Sequence, residues 1–370
     1  MHLILVFTYG ISLKNWDDAG ILSREIEPYR KLSETQNMQF TFITFGDEKD
    51  IVYLDLFKNL QILPLYKSSN ISNYGIINLF KTLFTALKLN IPNLKSSVIK
   101  TNQLNGSWVA LALKFKHKLP LYTRTGYNLF EFSVRDKKNI FVKCFYYILT
   151  QASLLFSDQY SVSSHSDKNY LNKYFIKTKN IHVIPNWVIN LKKESLDNRY
   201  KQRILSVGRL EEQKNFKTLI KSLSDSQVSL DIIGSGSQKL ELEELAVTCN
   251  TKLNLMGTFD HHELNNLYSK YMIFVLPSFF EGNPKVVLEA MSRGTLVIAR
   301  FNKNLTEIIK NNLNGILYDE KDNLSEIINF YLNNPLDLEK LTSNAYLTIE
   351  KNNLLERIIE KEIKIYNQLS

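Results

Sequence analysis

The sequence predicts an α/β protein built from two doubly wound parallel-sheet domains that face a central cleft, and three observations predict it. Short apolar runs alternate with helix-patterned stretches along the whole chain, as in HLILVFT, ILSREIEPYRKL and QFTFITF. The length, 370 residues, exceeds one ordinary core and suits two. Between two such runs lies NLKKESLDNRYKQ, polar and charged, and a fresh strand, RILSVG, follows it. The boundary is therefore expected within residues 190–202, with 1–190 as the first domain, 191–350 as the second and 351–370 as a last helix able to brace the first.

Composition narrows the class. With 44% apolar and 22% charged residues, the chain reads as an ordinary soluble protein. Cys144 and Cys249 lie far apart and outside any metal-ligand or CxxC spacing, which fits a reducing cytoplasm and argues against a disulfide scaffold. The start, MHLILVFTYG, lacks a basic n-region and a small-residue cleavage site, so it reads as a buried strand and not a signal peptide. No uninterrupted apolar run reaches the roughly 18 residues of a membrane span. The nearest, IFVKCFYYILTQASLLF at 140–156, is broken by Lys143, Thr150 and Gln151 and reads as a core helix or as a surface that touches lipid.

Charge is uneven. Residues 1–200 carry 26 Lys+Arg against 15 Asp+Glu and the remainder 20 against 22, so all of the net +9 belongs to the first half. A basic face without an aromatic-interleaved nucleic-acid motif suits an anionic membrane or a phosphorylated acceptor, or is a solvated lysine surface; nucleic acid is not expected. The basic, aromatic stretch 114–147 is the best place for contact with a membrane surface, which would put the protein at the inner face of the membrane as a peripheral partner.

In the second half the elements follow in order. RILSVG precedes a helix from Asn215; VSLDIIGSG precedes a helix over 238–248; LNLMG precedes one from His262; MIFVLPS precedes the helix of EGNPKVVLEAMSR. TLVIA, a short helix from Leu305, GILYD and helices to the end complete the pattern, the last covering roughly 353–368. This is the rhythm of a Rossmann-like sheet.

The stretch EGNPKVVLE carries the chemistry. Gly282 allows a close turn, Asn283 can cap, and Pro284 suits the first helical position, where its missing N–H costs nothing. The helix start then presents unpaired N–H groups and a positive dipole end, a site for a diphosphate. Glu281 precedes that site and Glu289 follows it by roughly 8 Å of helix axis, so the two carboxylates would flank the diphosphate, one serving a sugar and the other a ribose. A nucleotide sugar has this shape. SVGRLEEQKNF ends a strand at Gly208 and supplies Arg209 as a fork and Lys214 as a point charge for the same phosphates. No Asp-x-Asp pair is present, and His261 and His262 read as the surface start of a helix, so no metal site is expected.

The ordered set VGRLEEQKN, IIGSGSQ, LMGTFDHHEL, VLPSFFEGNPKVVLEAMSRGTLVIA and NGILYD resembles the donor domain of family 4 glycosyltransferases of the GT-B fold, over most of residues 203–320. IHVIPNWVI resembles that family's linker, with Trp187 and Ile189 in place of a glycine and an aspartate. The resemblance implies retaining transfer of a sugar from a nucleotide-diphosphate donor to a saccharide or lipid-linked acceptor, without metal or other cofactor, in cell-surface polysaccharide or glycolipid synthesis. Arg209 and Lys214 would neutralise the diphosphate, Glu281 would contact the donor sugar and Glu289 would hold the ribose. Gly282, Asn283 and Pro284 would face phosphates and sugar, and Gly257, Thr258 and Phe259 would lie near the base. Gly234 in GSG is a weak signal, and Lys285 either tunes sugar choice or sits in solvent.

The first half departs from the family pattern. The loop TYGISLKNWDDAG is bracketed by Gly10 and Gly20, and Gly20 is the expected contact with phosphate or sugar. Where the family often has a histidine after LPLYT, this chain has Arg124, which cannot act as a base but can bind an anion. Thr101, Asn102 and Gln103 are candidates for acceptor hydroxyls. His165 reads as a structural helix start. A nucleotide-sugar epimerase and a catalytically silent nucleotide-sugar-binding homologue stay open as other readings.

Overall fold

The computed structural model describes residues 1–66, 75–176, 180–189 and 191–369. Its packing separates Met1–Pro185 together with Ile358–Ser370 from Asn186–Arg357. The first unit runs β1 (His2–Val6), α1 (Leu13–Asp18), α2 (Leu22–Gln36), β2 (Gln39–Thr44), β3 (Leu60–Pro64), α3 (Gly75–Lys88), β4 (Ser97–Thr101), α4 (Ser107–His117), β5 (Leu121–Arg124), α5 (Leu129–Arg135), α6 (Ile140–Phe156), β6 (Gln159–Val162), α7 (His165–Tyr174) and β7 (Ile181–Val183). The seven strands form one sheet in the order β3-β2-β1-β4-β5-β6-β7, with every pair parallel.

β1 shows why an unbroken apolar run becomes a central parallel strand. It is buried throughout, since both faces of a parallel sheet are covered, and it pairs with β2 and β4 in one register. Its single polar residue, His2, lies between Ser97 Oγ at 2.7 Å and Thr41 Oγ1 at 2.8 Å. Burial holds this imidazole below its usual value.

One expectation for the first unit is corrected. The stretch read as a polar loop between Gly10 and Gly20 contains α1, closed at its start by a Ser12–Asn15 capping box and anchored by buried Leu13 and Trp16. Gly20 sits at the α1–α2 junction with φ 67, so chain reversal accounts for it. In α6, Leu149, Thr150, Ser153 and Leu154 are buried, whereas Phe141 is 81% exposed and Ile148 66%. An apolar run of this length cannot tell how much of its surface a neighbour covers.

The second unit runs β8 (Arg203–Val207), α8 (Phe216–Ser222), β9 (Ser229–Ile233), α9 (Lys239–Thr248), β10 (Leu253–Leu255), α10 (His261–Tyr268), β11 (Ile273–Leu276), α11 (Lys285–Ser292), β12 (Leu296–Arg300), β13 (Ile316–Tyr318), α12 (Leu324–Asn333) and α13 (Pro335–Asn352). Its six parallel strands order as β10-β9-β8-β11-β12-β13. Alternate residues of each strand feed opposite cores. Ile204, Ile232 and Val275 face one side, and Leu205, Ile233 and Leu276 face the other.

The last helix, α14 (Leu355–Asn367), contributes Ile358, Ile365 and Tyr366 as buried residues. From β4, Lys100 donates to both oxygens of Glu362 at 2.8 Å and to Tyr366 Oη at 2.9 Å.

The expected division at 190/191 is not where the packing divides the chain, and residue 190 itself lies outside the described residues. Asn186 already belongs to the second unit. Its N–H donates to Asn283 Oδ1 at 3.0 Å, and its side-chain amide donates to Asn283 O at 2.6 Å. The polar stretch that follows is anchored too. Arg199 is buried and donates to the carbonyls of Tyr271, Arg293 and Glu194.

Candidate active site

In the second sheet the chain reverses its direction of winding between β8 and β11, which are neighbours. Ligands of such sheets bind outside the carboxyl ends of the strands at this switch point. The loops leaving β8 and β11 carry the GRLEEQKN and EGNP residues, and four ties join them. Phe279 N donates to Gln213 O at 3.0 Å, and Gln213 Nε2 donates to Phe280 O at 2.9 Å. Asn215 Nδ2 donates to Pro277 O at 3.1 Å. The fourth is an ion pair, Lys214 Nζ to Glu281 Oε1 at 2.6 Å, with the side chains 14% and 9% exposed. At that exposure solvent screens the pair little. Arg209, two residues past the end of β8, is exposed.

Glycines bring the strand ends together. A Cβ on Gly234, whose φ is +151, would lie 1.9 Å from Gly208 O, so only glycine fits there. Gly234 N donates to Gly257 O at 2.7 Å. The Lys214 stem lies across Gly208, 3.2 Å from where a Cβ would be. The ends of β8 and β9 and the loop after β10 are thus one surface, a backbone requirement that the isolated GSG does not reveal.

α11 begins one residue later than expected. Pro284, with φ −71 and ψ 117, is the N-cap and Lys285 the first helical residue. Asn283 does not cap this helix, because its side chain accepts from Asn186 N. Gly294, φ +69, ends the turn that follows the helix. Lys285 does not extend into solvent: its Nζ stands 4.0 Å from the centre of the Trp187 ring. Lys285 therefore touches Trp187, one of the linker's departures from the family pattern, through a cation–π contact. Asn304, which no motif singles out, donates to Glu281 O at 3.1 Å.

Glu289 is 2% exposed, and two side chains that sequence reasoning missed approach its oxygens. His261 Nε2 lies 3.4 Å from Oε1, and Tyr268 Oη donates to Oε2 at 3.4 Å. His261 is therefore buried and not a surface residue; α10, capped by Asp260, turns it inward while His262 faces out. Phe259 packs against the core beside this helix, whereas Gly257 and Thr258 are exposed.

The first-unit candidates have partners of their own. Gln103 Oε1 accepts from Gly126 N at 2.7 Å, and Asn102 Nδ2 donates to Thr8 Oγ1 at 3.4 Å. Thr101 Oγ1 accepts from Arg124 N and donates to Arg124 O, clasping β4 to β5. Arg124 is buried with its Nε 3.9 Å from Glu362 Oε1, so its charge faces α14. Gly106, φ +106, was not singled out, yet a Cβ there would lie 2.8 Å from Phe7 O. His165 opens α7, as expected.

Residues 188–348 match the family model described as glycosyl transferases group 1. The second unit is a group 1 glycosyltransferase domain. An uncharacterized glycosyltransferase of Haemophilus influenzae is 30% identical to this chain over 195 residues, covering 50% of this chain and 54% of its own length. The chain spans about half the length of the curated relatives it matches at that identity. A Campylobacter jejuni protein, named as an alpha-1,4-N-acetyl-D-galactosaminyltransferase of a diNAcBac-PP-undecaprenol-linked saccharide, is 25% identical over 283 residues, 74% of this chain and 75% of that one. Anabaena HepE, solved in complex with UDP and glucose, superposes with a TM-score of 0.77 over 100% of both chains at 17% identity, which establishes the shared GT-B fold of this group 1 glycosyltransferase domain and its partner unit.

Proposed function

We propose that the chain is a retaining, metal-independent glycosyltransferase that moves a sugar from a nucleotide-diphosphate donor to a hydroxyl of a saccharide or lipid-linked acceptor, in cell-surface polysaccharide or glycolipid synthesis. The observation that carries this reading is the Lys214–Glu281 pair at the switch point, two residues 67 positions apart held at 2.6 Å. Cleaving an anomeric C–O bond leaves positive charge on the sugar and negative charge on the diphosphate. Lys214, Arg209 and the start of α11 would supply fixed positive charge to the departing diphosphate, and Glu281 would orient the sugar. The buried Glu289 would accept from the ribose. The lipid-linked acceptor is supported by the name of the Campylobacter relative, and the nucleotide-sugar donor by the ligands of HepE. Arg124 is given no step in the chemistry, because its guanidinium faces Glu362.

Each of Lys214→Ala and Glu281→Ala is expected to lower transfer from a nucleotide sugar at least about tenfold, roughly 1.4 kcal/mol of transition-state stabilisation. Undiminished turnover in either variant rejects the assignment. Chelator should leave the rate unchanged, and the glycosidic product should keep the anomeric configuration of the donor. An epimerised nucleotide sugar with no new glycosidic bond would favour the epimerase instead.

A further inference from the structure

We infer that α3, α4 and α6 together form a docking face for an anionic lipid bilayer. These three helices pack side by side in the first unit. Trp108 of α4 donates to Thr82 of α3 at 3.4 Å, Lys116 Nζ of α4 donates to Leu87 O of α3 at 2.6 Å, and Ser107 of α4 meets Ser153 of α6 at 3.1 Å. Aromatic contacts continue the seam, with Phe115 and Phe156 rings 5.2 Å apart.

The outer surface of this layer is apolar where a solvated helix would be polar. Phe80 and Phe84 on α3 are 63% and 62% exposed, Phe115 on α4 is 58%, and Ile140, Phe141 and Ile148 on α6 are 64%, 81% and 66%. Phe80 and Phe84 are one helical turn apart, and Phe141 and Ile148 two turns apart, so each pair forms a stripe along one side of its helix. A contiguous apolar face of this kind marks an interaction site.

Charge decides the partner. Helices α3, α4 and α6 contain no aspartate or glutamate, but they carry Lys81, Lys88, Lys114, Lys116 and Lys143. Lys118 follows α4, and Lys137 and Lys138 precede α6; all three are exposed. Lys114 is paired with Asp158, but the three helices offer no carboxylate of their own, so a second copy of this chain docked through the same face would set the other lysines against one another. An anionic bilayer answers both features, its headgroups taking the lysines and its acyl boundary the aromatic stripes. No helix among the described residues is long and apolar enough to cross a membrane, so the contact is one of lying on the surface. The stretch 114–147 singled out in the sequence supplies the end of α4 and the start of α6, but not α3.

The inference gives the proposed transfer to a lipid-linked acceptor its setting. It is measured without donor or acceptor, so its outcome stands apart from that of the Lys214 and Glu281 variants. The test is flotation of the full chain with phosphatidylcholine vesicles, with and without phosphatidylglycerol, across a salt series. The chain should bind the anionic vesicles at least about tenfold more tightly than the neutral ones and lose binding as salt rises. Phe141→Asp with Ile148→Asp, at exposed positions, should abolish binding while leaving the circular dichroism unchanged; Lys137→Glu with Lys138→Glu should weaken the preference for anionic lipid. Equal partitioning onto both vesicles, or binding to neither, overturns the inference. So does self-association that the Phe141/Ile148 double variant removes in a chain that ignores vesicles, which would make the face a dimer contact.

Discussion

At Glu289, two neighbours of different chemistry hold one carboxylate in a buried position. His261 and Tyr268 each approach one oxygen at 3.4 Å. If Glu289 serves a ribose, Tyr268→Phe and His261→Ala should loosen that service and little else. Wild-type protein should bind a nucleoside diphosphate more tightly than its 2′,3′-dideoxy analogue, and in either variant that difference should shrink about threefold or more, on the scale of a single hydrogen bond. A variant that weakens both ligands equally would show general destabilisation instead. The identities of Glu281, Glu289, Arg209 and Lys214 were legible as motif residues, because each lies beside a turn or helix start that local residues define. His261 and Tyr268 were not legible, since their role depends on α10 packing against α11, a relation with no local signal.

Among elements, the strand ends show how much backbone geometry the sequence conceals. Gly234→Ala would force the loop after β9 away from Gly208 O, where Lys214 lies, and an alanine at φ +151 is strained in any case. This substitution should cost about 1–3 kcal/mol of stability, read as a lower urea midpoint, and should weaken donor binding with it. The alternation of strands and helices was legible throughout the second unit, since its strands are compact apolar runs, with β8 and β9 closed by Gly208 and Gly234 and β11 by Pro277. α1 was hidden because a helix of six residues with two buried side chains leaves almost no periodic pattern. α6 displayed its helix plainly and its exposure not at all.

For the molecule as a whole, the tandem sheets and the basic first half were legible from composition and rhythm. The buried charge that ties β4 to α14 was not, for Lys100 and Glu362 are 262 positions apart. Burial opposes ionisation of Glu362, yet Lys100 and Arg124 beside it hold its carboxyl below the usual range. A carboxylate whose folded pKa is depressed adds stability that is complete above its unfolded value, about 4.3, and is lost as pH falls through the folded value. The unfolding midpoint should therefore fall with acidification below about pH 4, less steeply in Glu362→Gln. At pH 7, Glu362→Ala should cost about 3–5 kcal/mol, because Lys100 and Arg124 would lose the buried carboxylate that answers their charge.

Translation makes that pair asymmetric in time. A ribosome delivers Lys100 long before it delivers Glu362, so a nascent first unit has a cation in its interior and nothing to neutralise it until the last helix emerges. Consolidation of the first unit must wait for α14, while Asn186–Arg357 contains its own sheet and cores and can fold before it. A chain stopped after Arg357 should accordingly show a protease-resistant second unit joined to a first unit that is digested.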